Sequence, residues 1–213
     1  MTPLTFDVVD AQVERYAAAP SLRLRIRARN DGEDWIDALA LRVRVQIEPY
    51  ARAYESAEEH RLTEVFGDRS RWGHAVRPLQ WAESSVTAGA FTRETAFDVA
   101  LPCSYDLNVA SGKFISALES GDIPLRLFFT GTIFRGSTTG FTVEMLPWST
   151  ECTTRLALQL WQDAMNTAFP DDAWIRIDRS TFHELQRYRA EHSFYTWENT
   201  FAHLLAREAK EAT

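Results

Sequence analysis

The segment 21–30 constrains the fold more than any other. It reads Ser-Leu-Arg-Leu-Arg-Ile-Arg-Ala-Arg-Asn, so Leu22, Leu24, Ile26 and Ala28 alternate with Arg23, Arg25, Arg27 and Arg29. Successive side chains of a strand point to opposite faces. The segment therefore predicts a strand with one buried face and one wet, cationic face. Helical spacing would mix the two sets on every side. A half-buried strand of this length needs neighbours, which points to an antiparallel sheet packed on one side.

Other segments repeat the pattern. Residues 4–13 are a first strand candidate. In 36–48, Leu39, Leu41, Val43, Val45 and Ile47 share one face, with Arg42, Arg44, Gln46 and Glu48 on the other. Asn30-Asp31-Gly32 is a turn signal between them. Residues 54–66 predict a short helix, with Ser56 and Glu59 as a capping box and Gly67 as its stop. Strands resume at 78–86, 92–101, 123–135 and 141–146, while 107–119 carries no clear period. The segment 123–135 is too apolar for a wet face and predicts a central strand. Beyond Pro147-Trp148 the spacing turns helical. Leu156, Leu160, Trp161, Ala164 and Met165 form one stripe. Asp178 and Thr196 are placed to cap two further helices. The expected fold class is α+β: a predominantly antiparallel sheet or sandwich over 1–148, with a helical insertion near 54–66. A C-terminal region, 149–213, adds a layer of three amphipathic helices packed on the sheet, making one compact unit.

The 213 residues have a net charge of −7. That excludes general coating of nucleic acid or of anionic membranes, which needs a basic surplus. The first residues show no basic and apolar leader pattern, and no run approaches the ~18 apolar residues of a membrane helix. No membrane insertion is expected. A cytoplasmic location follows, with Cys103 and Cys152 as reduced thiols.

Site chemistry is sparse. The histidines His60, His74, His183, His192 and His203 show no metal-ligand spacing, and the two cysteines have no close Cys partner. No metal and no cofactor is expected. Ala110-Ser111-Gly112-Lys113-Phe114 lacks the glycine at position 107 (Leu107 stands there) and the hydroxyl residue after lysine that a phosphate loop requires. Asp171-Asp172 reads as a loop and cap pair. Cys103, in Leu101-Pro-Cys-Ser-Tyr-Asp106, is the one nucleophile candidate. No histidine or lysine adjoins it to lower its pKa.

Two features stand out. If the strands 21–30 and 38–48 are neighbours, Arg23, Arg25, Arg27, Arg29, Arg42 and Arg44 share one surface. Like charges facing across strands destabilise a sheet, so acids such as Glu48, Glu94 or Asp98 must offset them, or the face docks an acidic partner. Of seven tryptophans, Trp35, Trp72 and Trp148 fall at predicted loops, a composition typical of interfaces. The candidate partner-binding residues are Arg23, Arg25, Arg27, Arg42, Arg44, Trp72 and Trp148.

The sequence also resembles a bacterial family, domain of unknown function 6084. The likeness rests on Val45-Gln-Ile-Glu-Pro49, Leu62-Thr-Glu-Val-Phe-Gly-Asp-Arg-Ser-Arg-Trp-Gly73, Leu101-Pro-Cys-Ser-Tyr-Asp106, Ile123-Pro-Leu125, Phe129-Thr-Gly-Thr-Ile-Phe134 and Pro147-Trp-Ser149. A tail of Phe169-Pro170, Trp174, Phe182, Leu185 and Thr196-Trp197 completes it. The resemblance implies no activity and no site residue. It implies a genetic setting beside nickel–iron hydrogenases and their maturation proteins. The expected function is a non-catalytic accessory or assembly protein that binds another protein, a hydrogenase subunit or maturation factor in that setting. The alternative is an enzyme with a site assembled from distant residues around Cys103. Nucleic acid is not an expected partner.

Overall fold

Alternating segments become paired strands. The computed structural model describes residues 4–104, 109–137, 140–170 and 177–211. Tyr105, Asp106, Leu107, Asp171, Asp172 and Trp174, named above, lie outside them, as do residues 138 and 139 of the predicted hairpin turn. The elements run β1 (Leu4–Val13), β2 (Ser21–Asn30), β3 (Ala38–Ile47), α1 (Ser56–Phe66), α2 (Trp72–Ala75), β4 (Leu79–Ala88) and β5 (Glu94–Pro102). They continue with α3 (Ala110–Ala117), β6 (Asp122–Ser137), β7 (Gly140–Met145), β8 (Glu151–Ala157), α4 (Leu158–Ala168), α5 (Arg179–Glu191) and α6 (Trp197–Glu211). The class is α+β: two antiparallel sheets, with helices towards the C-terminus.

The smaller sheet has the order β1-β2-β5 and the larger β4-β3-β6-β7, with β8 also on β6. The inner faces of both sheets share one apolar core. Leu22, Leu24 and Ile26 of β2 and Val43, Val45 and Ile47 of β3 are fully buried there. Burying such a side chain contributes roughly 1.5–3 kcal/mol. Phe6 of β1 stacks on Phe129 of β6 across the gap, centroids 4.2 Å apart.

The condition for a shared arginine surface, 21–30 beside 38–48, is not met: β2 and β3 belong to different sheets. Each presents one apolar face, and a sandwich buries both faces against each other without any bond between the two strands.

The 16-residue β6 organises the larger sheet. β3 lies along one edge of it, while β8 (opposite Asp122 to Phe128) and β7 (opposite Thr132 to Ser137) follow each other along the other. Helix was expected directly beyond Trp148, but Glu151–Ala157 is a strand. The reason is the open backbone edge of β6, which β8 fills. Cys152, Thr154 and Leu156 fall opposite the buried residues Leu127, Leu125 and Ile123. The helix starts later, at Leu158, and α4 buries Leu158, Trp161, Ala164 and Met165 against β1, β2 and β8. Gly131, at the centre of β6, has φ +151°, and a Cβ there would lie 2.1 Å from the Ala40 carbonyl oxygen. Only glycine allows β3 and β6 to approach so closely.

Segment 107–119, without a clear period, contains α3, which packs on α1. The α1 cap is displaced by one residue from the Ser56–Glu59 reading. Glu55 is the N-cap, and its N–H donates to Glu58 Oε2 at 3.3 Å.

The chain divides into two compact units, residues 1–173 and 174–213. In the second, α5 and α6 form a helical pair. Thr196 Oγ1 accepts from the Asn199 N–H at 3.1 Å, capping α6 as expected. Phe182 meets Trp197, the Arg189 guanidinium lies over the Trp197 ring at 4.5 Å, and the Tyr188 hydroxyl is 2.9 Å from His203 Nδ1.

Candidate functional site

The arginines come first, because their strands now have neighbours. On the outer face of the smaller sheet, β2 lies between β1 and β5, and both carry acids in register. Arg27 is opposite Asp7, Arg25 is opposite Asp98, and Arg29 is opposite Glu94. Asp7 and Asp98 each serve more than their own partner. Asp7 reaches Arg27 at 3.6 Å and Arg29 at 3.9 Å, and Asp98 reaches Arg25 at 3.6 Å and Arg23 at 3.9 Å. Arg23 also meets Glu14 at 3.6 Å. The carboxylates sit between successive arginines and cancel the repulsion along the strand. Exposed pairs like these contribute roughly 0.2–1 kcal/mol each.

Arg42 and Arg44 are on the other sheet, so the six arginines do not share one surface. Arg42 pairs with Glu83 at 3.3 Å, and Arg44 stacks over the Phe128 ring at 4.9 Å. Of the acids expected to offset the arginines, Glu94 and Asp98 do so. Glu48 instead pairs with Arg126 at 3.2 Å.

The tryptophans separate sharply. Trp72 is 4% exposed. Its indole N–H donates to the Gly67 carbonyl at 2.9 Å, its ring meets Tyr54 and Phe66 edge-on, and Arg69 covers one face. Trp72 holds the α1–α2 corner and is withdrawn as a partner-binding residue. Trp148, between β7 and β8, is 90% exposed. Just before it in the chain, Val143 and Met145 are 59% and 65% exposed on the outer face of β7. Opposite them on β6 stand Phe134 and Thr132, and on β3 Ala38 and Ala40. This end of the larger sheet carries no charged side chain on its outer face among these described residues. Trp35, 54% exposed, donates its indole N–H to Asp37 Oδ1 at 3.1 Å.

The thiols offer little nucleophilic chemistry. Cys103 is buried, and burial pushes its pKa up to about 12. Burial, then the nearby Asp7 charge, pushes Cys152 up to about 12 as well. A thiol at that value holds almost no thiolate at neutral pH.

The most buried ion pair among the described residues, Arg52–Glu58, is structural. Glu58 accepts two bonds from Arg52 Nη2, both 2.9 Å, and one from the Glu119 N–H at 2.9 Å. Arg52 also donates to the carbonyls of Ser120 and Asp122. Burial alone would raise the Glu58 pKa, but the backbone N–H groups and Arg52 outweigh it and hold the carboxyl below its ordinary value. The pair fastens α1 to the turn that enters β6. Glu48 behaves oppositely: burial raises its pKa despite Arg126. Among the described residues no group of three or more His, Cys, Asp or Glu is placed to hold a metal ion. A groove of about 650 Å³ between the end of β1 and α4 is lined by Glu14, Arg15, Tyr16, Arg23, Leu160 and Asp163, without a thiol or histidine.

The family model for DUF6084, described as a family of unknown function, matches residues 1–213. The chain belongs to DUF6084. No curated protein matches the sequence. Among solved structures, the DUF6084 chain is similar to a protein from Arabidopsis thaliana (12% identity, TM-score 0.40, covering 74% of this chain and 82% of that one). It is also similar to a protein from Archaeoglobus fulgidus (15% identity, TM-score 0.31, 71% and 99%). A third match is a β-glucosidase from Kluyveromyces marxianus (9% identity, TM-score 0.26, 72% and 15%). Likeness this slight assigns no activity.

Among its described residues this DUF6084 chain presents a neutralised arginine face, an uncharged apolar end on the larger sheet, and the exposed Trp148 shortly after that end in the chain. Sequence reading reached Trp148 but not Val143 and Met145. Their signal was present, since Val143 and Met145 alternate with Thr142 and Glu144 in a segment followed by Pro147-Trp148. No helix among the described residues is long and apolar enough to cross a membrane.

Proposed function

We propose that this protein is a non-catalytic accessory or assembly factor that works by binding another protein, in the setting of nickel–iron hydrogenase maturation. The observation that carries the reading is Trp148, a large aromatic left 90% exposed, three residues after the exposed Met145 and five after Val143. Tryptophan is among the residues most enriched at binding hot spots, and contiguous exposed apolar surface marks interaction sites. The raised thiol pKa values of Cys103 and Cys152 weigh against the alternative of a cysteine enzyme. In this reading the protein acts in the cytoplasm, with both cysteines free, and its partner is a hydrogenase subunit or maturation factor.

The test is affinity capture of the tagged full chain from its native host under hydrogenase-inducing conditions, with mass-spectrometric identification. Recovery of hydrogenase subunits or maturation proteins is expected, with at least a ten-fold loss for Trp148→Ala, a loss of about 1.4 kcal/mol or more in binding. The variant should melt within a degree or two of the wild type, because Trp148 packs on almost nothing. Capture of no such protein by the folded wild type overturns the proposal.

A further inference from the structure

The open edge of β7 has a hydrogen-bonding phase that can be read from one contact. The Leu146 N–H donates to the Gly131 carbonyl at 2.9 Å. Leu146 continues the register in which Met145 is opposite Thr132, so Leu146 and Gly131 form a hydrogen-bonded pair. Such pairs alternate along an antiparallel ladder. Glu144 with Ile133 and Thr142 with Arg135 are then the next bonded pairs. The N–H and C=O groups of Phe141, Val143 and Met145 consequently point away from β6. Two further contacts agree with this phase. The Phe129 N–H, two residues before Gly131, donates to Thr150 on the same side, and the Phe134 carbonyl accepts from Asp37 on the opposite side.

The other edge strands are blunted or covered. β1 has a bulge between Val8 and Asp10, and β4 has one opposite Val45 and Gln46. β5 carries Glu94 and Asp98 and ends in Pro102, and it lies against β4. β8 carries Glu151 and Arg155 and lies against β1. β7 has an unbroken register, no proline and no lysine. Its single charge, Glu144, is neutralised by Arg135 at 3.4 Å. An unblunted edge of this kind is a template for another strand.

We infer that the occupant is a second copy of this chain, with β7 pairing antiparallel to β7 about a twofold axis at Val143. The strand is complementary to itself in that register. Val143 stands opposite Val143 of the second copy, in a bonded pair. Phe141 stands opposite Met145, also bonded, so the outward backbone groups form about six hydrogen bonds. Thr142 stands opposite Glu144, so the one charge of the strand never faces itself. Shifting the axis to Glu144 would put two carboxylates face to face, which a sheet penalises. The charge thus disfavours the register centred on Glu144, the outward backbone groups of Phe141, Val143 and Met145 favour the one centred on Val143, and the strand's fit to itself in that register names a second copy as the occupant. The exposed Val143 and Met145 side chains gain apolar neighbours, and the larger sheet runs unbroken through both copies.

The test is the mass of the full chain by sedimentation velocity and light scattering over a range of concentrations. The wild type should move towards twice 24.4 kDa as concentration rises. Val143→Pro removes only an outward N–H, which leaves the ladder with β6 intact, and should stay at monomer mass with a native circular dichroism spectrum. Val143→Glu places two carboxylates across the axis and should also be monomeric, which covers a failure of the proline variant to fold. Val143→Cys should form an intermolecular disulfide under mild oxidation, above the level given by the native Cys103 and Cys152. A wild type that remains monomeric at every concentration overturns the inference. So does a folded Val143→Glu variant that dimerises as the wild type does.

Discussion

The outer faces of the two sheets hold charge in different ways. On the smaller sheet, four arginines of β2 meet carboxylates supplied by β1 and β5, and every one has an acid within 4.0 Å. On the larger sheet, charge is concentrated at one end, around Arg42–Glu83 and Arg126 with Glu48 and Glu151. The other end is left neutral and apolar at Val143 and Met145. The most conspicuous charged run in the sequence is therefore the face least in need of a partner. The quieter face, with an edge strand and exposed apolar side chains at Val143 and Met145, has the unmet demand.

Three experiments would break or sharpen that comparison. The largest effect is expected from Gly131→Ala. Its Cβ would overlap the Ala40 carbonyl, force β3 from β6 and dissolve the larger sheet. A loss of about 4 kcal/mol or more is expected, or no folded protein, read by chemical denaturation. Next is Glu58→Ala, which strands the Arg52 guanidinium in a buried site and should cost about 3–5 kcal/mol. The Glu58 carboxyl is held below its ordinary value of 4.5 in the folded protein. Its contribution is complete above that value and fades as pH falls through the lower folded value. Melting between pH 5 and pH 3 should therefore be steeper for the wild type than for the variant.

The smallest stability effect belongs to the exposed ladder. The double variant Asp7→Asn, Asp98→Asn should lose about 1–2 kcal/mol at most. It should nevertheless convert the β2 face into a cationic strip that retains heparin in a salt-dependent way, unlike the wild type. An unchanged elution would mean that the two acids do not mask the arginines, and the contrast between the faces would fall.

Much of the first unit was readable in advance. The bounds 4–13 and 21–30 coincide with β1 and β2, and in β2 the strict alternation of aliphatic residues and arginines has only one solution. β8 was misread for an equally physical reason. Leu156 stands four residues before Leu160, so its helical partner masked the shorter alternation of Cys152, Thr154 and Leu156. Trp72 was misjudged because loop position suggests exposure. Its burial depends on Tyr54 and Phe66, and on Arg69 over one face, assembling around it. The Arg52–Glu58 pair had no sequence signal at all, since it is completed by the backbone of Glu119, Ser120 and Asp122, more than sixty residues away.

By itself, the sequence determined the strands of clear alternation, β2 and β3 above all, and which face of each is apolar, since those follow from a period of two and the free energy of burial. Only the tertiary structure decided that β2 and β3 enter different sheets, that the acids of β1 and β5 neutralise the arginines, and that β7 is an edge strand. Those outcomes depend on which distant strands become neighbours, and periodicity within one segment carries no information about its neighbour across the sheet.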